Sequence, residues 1–167
     1  MRRFSPEEAV AAVELQHLFS EYWYDIEANM ARNVGDFWVE DGIFTSGMQV
    51  NIKGRAAIKK FYEEINERIL KEERGGVRTA RHTWTNMRTT FHGKDRASLD
   101  MTVVTYSAGG PPPIMGTTSP SIVSDARIEV RRDANGEWHM FEFHANPLFI
   151  GVDPFLNKTV MGEPAKA

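Results

Sequence analysis

Apolar positions along this chain change their period once, from helical to alternating. Leu15, Leu18, Phe19, Tyr22, Trp23, Ile26 and Met30 recur at helical spacing, which predicts an amphipathic helix with a wide, aromatic buried stripe. Ser5-Pro6-Glu7-Glu8 marks its start, with a Ser N-cap, Pro at the first helical position and Glu at the third forming a capping box. A short helix or turn around residues 33–39 leads through Glu40-Asp41-Gly42 into two short strands, 43–46 and 49–52, that turn near Gly47. A second helix follows Gly54, with Ile58, Phe61, Tyr62, Ile65 and Ile69 on one face and Gly75-Gly76 as its stop.

Beyond that point the pattern reads as strand. Residues 79–91 and 97–107 alternate, closed by His92-Gly93-Lys94-Asp95 and by Ala108-Gly109-Gly110-Pro111-Pro112-Pro113. Residues 121–132 and 137–145 flank Asp133-Ala134-Asn135-Gly136, a hairpin turn with Asn-Gly where positive φ is needed. Helices grouped before a meander predict an α+β fold, in which a curved antiparallel sheet wraps around the N-terminal helices and leaves a pocket where they fail to fill the bend. The proline-rich loop reads as a rigid surface connection. Residues 146–160 carry Pro147, Leu148, Phe149, Ile150, Val152, Phe155 and Leu156, too apolar for a free tail. The expectation is one domain over 1–167: a core at about 8–148 and a C-terminal segment, 149–167, that caps the pocket mouth or packs on a neighbouring subunit.

Composition narrows the partners. A net charge of −3 with interspersed signs argues against nucleic acid, which needs a concentrated positive stripe. The absence of cysteine excludes disulfides and thiolate chemistry. Met1-Arg2-Arg3 is followed by Phe4-Ser5-Pro6-Glu7-Glu8 rather than an apolar signal region, and no apolar run is long enough to span a membrane. A cytoplasmic protein that takes a small apolar molecule, with no nucleic-acid or membrane partner, is expected.

The candidate chemistry lies in Glu27 and His82, since a carboxylate beside an imidazole can fix its tautomer and raise its basicity. Glu27 and Asp25 flank the apolar stripe of the first helix on opposite sides. Asp25 shares its side with Glu14 and Glu21 and reads as solvated; Glu27 adjoins Trp23 and Met30, with a solvated helix-terminal carboxylate as the alternative. Strand alternation puts His82, Trp84, Asn86 and Arg88 on one face, a mixture that suits a pocket wall with Trp84 and Asn86 as substrate contacts; a satisfied histidine at a sheet edge is the alternative. On the last strand Trp138, Met140, Glu142 and His144 share a face; if Trp138 and Met140 pack under the helices, Glu142 and His144 look into the pocket, and the opposite parity makes them exterior. Tyr22, Tyr24, Tyr106 and Ser124 could bond a substrate oxygen, although Tyr22 sits in the stripe and reads better as core. The histidines at 17, 82, 92, 139 and 144 form no close ligand pair, so no metal is expected. No nucleophile elbow, phosphate loop or dinucleotide fingerprint is present. Cofactor-free proton transfer is what remains.

Glu27, then Phe37-Trp38-Val39-Glu40-Asp41-Gly42-Ile43-Phe44, Ile52-Lys53-Gly54-Arg55-Ala56-Ala57-Ile58, Arg81-His82 with Asn86, and Gly136-Glu137-Trp138-His139-Met140 resemble, in order and spacing, SnoaL-like proteins of the nuclear transport factor 2-like superfamily. The resemblance implies a cone-shaped α+β fold with one deep apolar pocket, assembled as dimers or trimers through the outer face of the sheet. Its members include dehydratases, a dehydrochlorinase, ketosteroid isomerase, polyketide cyclases, formaldehyde-releasing lyases and inert subunits, so fold alone does not assign function. In the dehydratase and dehydrochlorinase branches an Asp near the end of the first helix pairs with a His on the third strand. Glu27 and His82 fall at those positions, with Glu in place of Asp. The resemblance thus implies a cofactor-independent lyase with His82 as base and Glu27 as its orienter, acting on an apolar, aromatic or polycyclic hydroxylated molecule. An isomerase is the nearest alternative; a non-catalytic ligand-binding protein or the β-subunit of a ring-hydroxylating oxygenase is the other. A homotrimer is expected slightly ahead of a dimer.

Overall fold

In the computed structural model, which describes residues 3–116 and 119–162, the capping box starts helix α1 (Pro6–Ala28). Ser5 Oγ accepts from Glu8 N at 3.1 Å, and Glu8 Oε2 accepts from Ser5 N at 2.8 Å. Leu15, Phe19, Tyr22 and Trp23 are buried along the stripe, whereas Met30 lies past the helix end and is exposed. Asp25 corrects the sequence reading: it is buried, and its carboxylate accepts from Asn29 Nδ2 at 2.6 Å and from Asn33 N at 3.1 Å. These bonds hold a turn in which Met30 and Ala31 take left-handed φ values of 56° and 54°, a conformation that costs a non-glycine residue about 1–2 kcal/mol.

The chain continues through β1 (Trp38–Ser46), β2 (Val50–Lys53), α2 (Arg55–Glu72), β3 (Arg78–Phe91), β4 (Arg96–Gly109), β5 (Ile122–Arg132), β6 (Trp138–Ile150) and α3 (Pro154–Met161). β1 begins ahead of the expected strand, β6 runs beyond residue 145, and α3 is a helix the alternation pattern did not predict. Met1, Arg2 and residues 163–167 of the expected C-terminal segment lie outside the described residues. The six strands form one curved, open sheet in the order β2-β1-β6-β5-β4-β3. Most neighbours are antiparallel, as hairpins require, but β1 pairs with β6 in parallel, which makes the sheet mixed. Those two strands come from opposite ends of the chain, so no hairpin fixes their relative direction.

Two of the sheet's register shifts decide which side chains of β3 and β6 face the helices. In β3 the register shifts between Thr85 and Arg88, where Asn86 adopts φ 56°. In the β5–β6 pair Glu129 meets Glu142 and Val130 meets Met140, leaving Phe141 as the extra residue. Each bulge reverses the alternation beyond it. The inner face carries Leu99, Val103, Ala126, Ile128, Met140 and Phe143, all buried with Leu15, Phe19 and Tyr22 of α1.

Candidate active site

The core closes one end of the cone, and a cavity of about 200 Å³ occupies the rest. Trp23, Ile26 and Glu27 of α1 form one wall, Phe61, Tyr62, Ile65 and Asn66 of α2 another, and the floor is the inner sheet face, including His82, Val103, Thr105, Ser124 and Phe143. Phe155, Leu156, Thr159 and Val160 of α3 complete the lining. α3 is fastened at both ends. Asp153 caps its start, accepting from Leu156 N at 3.1 Å, and also accepts from Ser107 Oγ and from Arg78, whose guanidinium pairs with Glu73 at 2.6 Å. At the other end the Val160 carbonyl accepts from Met48 N at 3.0 Å and Gln49 N at 3.3 Å in the β1–β2 turn.

Glu27 and His82 meet on the cavity wall. Glu27 Oε1 accepts from both the backbone N–H of His82 and its ring Nδ1, the latter at 3.1 Å, and Arg81 sits 3.7 Å from the other carboxylate oxygen. A carboxylate only accepts, so Nδ1 carries the proton in the neutral ring and Nε2 keeps its lone pair. Both side chains are largely buried, at 12% and 16% exposure, whereas Arg81 at 65% lies mostly in solvent. Trp23, one helical turn before Glu27, stacks on the imidazole with centroids 4.0 Å apart and planes 10° from parallel.

The other predicted residues divide. Ser124 lines the cavity. Tyr22 is core; its hydroxyl meets that of Tyr62 at 2.8 Å, and Tyr62 reaches the lining. Burial raises both phenols, Tyr62 to about 12 even though its bond to Tyr22 acts the other way, so both are neutral donors over the physiological range. Trp84 shares the face of His82 and packs on the core without reaching the cavity. Tyr24 and Tyr106 are exposed, and Asn86 stands out at the bulge. Glu142 and His144 lie on the outer sheet face, because the bulge at Phe141 reverses parity between Met140 and Glu142. There His144 Nε2 bonds Glu142 at 2.8 Å, and Nδ1 bonds Thr45 Oγ1 at 2.8 Å.

Thr105, directly opposite His82 in the sheet, was missed. Counting back from the Phe91–Ala97 pair sets Tyr106 opposite His82; the bulge at Asn86 brings Thr105 there instead. Thr105 and Ser124 are buried residues that line the cavity floor, and neither side-chain hydroxyl makes a hydrogen bond among the described residues. The aromatic positions of α2 were legible as a stripe, but nothing in that periodicity separates a core face from a cavity wall. Among the described residues the ligand atoms of Asp133, Glu137 and His139 lie within 4.8 Å of one another, in the β5–β6 turn rather than on the cavity wall. Asp133 is engaged there by Asn135 N and Glu137 N, and His139 Nδ1 by the Asp36 carbonyl.

The structure is thus an open α+β cone whose apolar interior holds a largely buried imidazole–carboxylate pair. Residues 7–144 match the SnoaL-like domain model, and the chain belongs to that family. Solved structures share the fold. A scytalone dehydratase-like protein from Novosphingobium aromaticivorans is 16% identical with a TM-score of 0.71, over 87% of this chain and 89% of that one. An NTF2-like protein with a cystatin-like fold from the same organism is 23% identical with a TM-score of 0.66, over 84% of each chain. A ketosteroid isomerase-like protein from Erwinia carotovora atroseptica is 13% identical with a TM-score of 0.63, over 87% of this chain and 99% of that one. No curated protein matches the chain in sequence. Among the described residues, no helix is long and apolar enough to cross a membrane.

Proposed function

We propose that this protein is a cofactor-independent lyase, acting as a dehydratase or by eliminating an aldehyde from a small, mostly apolar, hydroxylated aromatic or polycyclic molecule. The observation that carries the reading is the 3.1 Å contact between His82 Nδ1 and Glu27 on the wall of an apolar cavity. Neutral His82 removes a proton from carbon or hydroxyl through Nε2. Glu27 holds the tautomer and stabilises the imidazolium that forms. In water loss the β-hydroxyl departs with the electron pair of its C–O bond and the imidazolium protonates it; in aldehyde loss the deprotonated hydroxyl becomes the carbonyl of the departing fragment, the electron pair of the broken C–C bond stays on the retained carbon, and the imidazolium protonates that carbon. Apolar walls exclude water and strengthen these electrostatic interactions. In this reading Thr105 and Ser124, which line the cavity and whose hydroxyls lack protein partners among the described residues, bond substrate oxygens.

The test is turnover of a panel of hydroxylated aromatic bicyclic compounds. His82→Ala is expected to abolish turnover with the circular dichroism spectrum unchanged; full activity in that variant refutes the assignment. Glu27→Gln, which keeps an acceptor but removes the charge, should slow turnover by about 10- to 10³-fold. An isomerase is the second reading, favoured by the same pair and by the ketosteroid isomerase-like neighbour. Solvent deuterium incorporated into a product of unchanged composition selects it over the lyase. A cytoplasmic homo-oligomer, trimer ahead of dimer, completes the reading; exposed Leu148, Phe149 and Ile150 on β6 support the assembly, and light scattering measures it.

A further inference from the structure

We infer that Trp23 is a positioning residue for His82, holding the imidazole by its face while Glu27 holds it by its edge. The inference rests on the reading of His82 as the base. One hydrogen bond to Nδ1 leaves a ring free to swing about that contact. The indole removes this freedom, because its plane lies 10° from that of the imidazole with ring centroids 4.0 Å apart. Trp23 and Glu27 stand four residues apart on α1, so they project from the same side of the helix. One turn of one helix thus grips the imidazole in two perpendicular directions, and Nε2 makes no hydrogen bond among the described residues.

Trp23 cannot easily yield. It is buried between Tyr22, with centroids 4.9 Å apart, and Phe143, at 6.2 Å edge-on. Its indole N–H makes no hydrogen bond among the described residues, so packing alone sets its position, and a phenylalanine there sacrifices no polar contact. The stack also has a chemical consequence. An aromatic face attracts a cation more than a neutral ring, so the indole favours the imidazolium produced by proton abstraction. The charged groups around the ring are few. Glu27 faces it from α1, Arg81 on its own strand is paired to Glu27, and Thr105 opposite it on β4 is neutral. Arg78, on the same cavity, is matched by Glu73 and Asp153.

The test needs no substrate. In the wild-type protein, the His82 ring protons, assigned by their loss in His82→Ala, are expected upfield of free histidine because they lie over the indole. In Trp23→Leu, which keeps the apolar burial and removes the aromatic face, that displacement disappears. Trp23→Phe should restore most of it. Wild-type ring protons at the free-histidine position overturn the inference, as do His82 ring protons in Trp23→Leu displaced as far as in wild type. If Trp23→Leu does not fold, the wild-type shifts and Trp23→Phe decide alone. Failure here with an inactive His82→Ala removes only the positioning role; an active His82→Ala removes the catalytic reading and leaves the stack to be judged by its own spectra.

Discussion

Replacing Asp153 by alanine should release α3 from the cavity while leaving the sheet folded. The carboxylate is 4% exposed and joins three elements: it accepts from Leu156 N at 3.1 Å at the start of α3, from Ser107 Oγ at 2.5 Å on β4, and from Arg78 on β3. Loss of the N-cap costs about 1 kcal/mol. Arg78 retains Glu73 at 2.6 Å, so its guanidinium is not orphaned, and losing one charged hydrogen bond there costs about 1.5–3 kcal/mol. The sum, about 2.5–4 kcal/mol, falls on a helix otherwise attached through the Val160 carbonyl and through Arg68, which donates to Thr159 Oγ1 at 3.0 Å and lies over the Phe155 ring. Native-state hydrogen exchange at neutral pH should show α3 amides opening about 10²- to 10³-fold more often, with β4 and β5 protected as before. Acid should have the same effect on the wild type. Burial pushes the Asp153 carboxyl up, but hydrogen bonds from Ser107, Arg78 and Leu156 N–H outweigh it and hold the group below the usual carboxylate value. A depressed folded-state value means the stabilisation is complete above the unfolded value of about 4 and is lost as pH falls through the folded one. After correction for intrinsic rates, α3 exchange should therefore rise only below about pH 4, and Asp153→Ala should lack that step. Unchanged α3 exchange in Asp153→Ala at neutral pH, or an equal loss of protection in every strand, refutes this account of how the helix is held.

Other substitutions probe the elements around the cavity. Asp25→Ala removes the acceptor from Asn29 and Asn33 N and frees the left-handed turn at Met30–Ala31; a loss of about 3 kcal/mol is expected, read as a midpoint lower by roughly 6–12 °C on thermal unfolding. Gly47→Ala places a methyl group against the Val160 carbonyl at a backbone φ of 59°, so α3 exchange should rise by detachment at its C-terminal end while β3 to β6 hold. Tyr22→Phe leaves the Tyr62 hydroxyl without its partner; a cost of about 1–2 kcal/mol is expected in chemical denaturation, with the circular dichroism spectrum unchanged.

What could be read from sequence was whatever a single element determines. The capping box at Ser5, the α1 stripe and the turn at 133–136 each depend on neighbours within a few residues, and each appears where expected, with Gly136 at φ 85°. Asp25 was misread because a helical wheel locates a side chain around its own axis and carries no information about the chain beyond the helix end. The chain beyond the helix folds back over Asp25, and Asn29 Nδ2 and Asn33 N supply the donors that satisfy its buried carboxylate. α3 escaped notice because its eight residues are too few for a periodicity to declare itself.

Sheet facing is a property of two strands together, and the errors there share one cause. Alternation carried from Trp138 through Met140 puts Glu142 and His144 inside, and it fails at Phe141, which has no partner on β5 and instead packs its ring 4.1 Å from the Arg131 guanidinium. On β3, alternation from His82 through Trp84 fails at Asn86 for the same reason. His82 lies on the near side of its bulge, so its facing did not depend on detecting it; Asn86, Glu142 and His144 lie at or beyond theirs. The bulges also reach further than the residues they displace. By shifting the β3–β4 register, the one at Asn86 sets Thr105 rather than Tyr106 beside the imidazole. A small hydroxyl in place of a bulky phenol leaves room over His82 that the cavity occupies, so the irregularity that defeats the alternation pattern is also what opens the floor of the site.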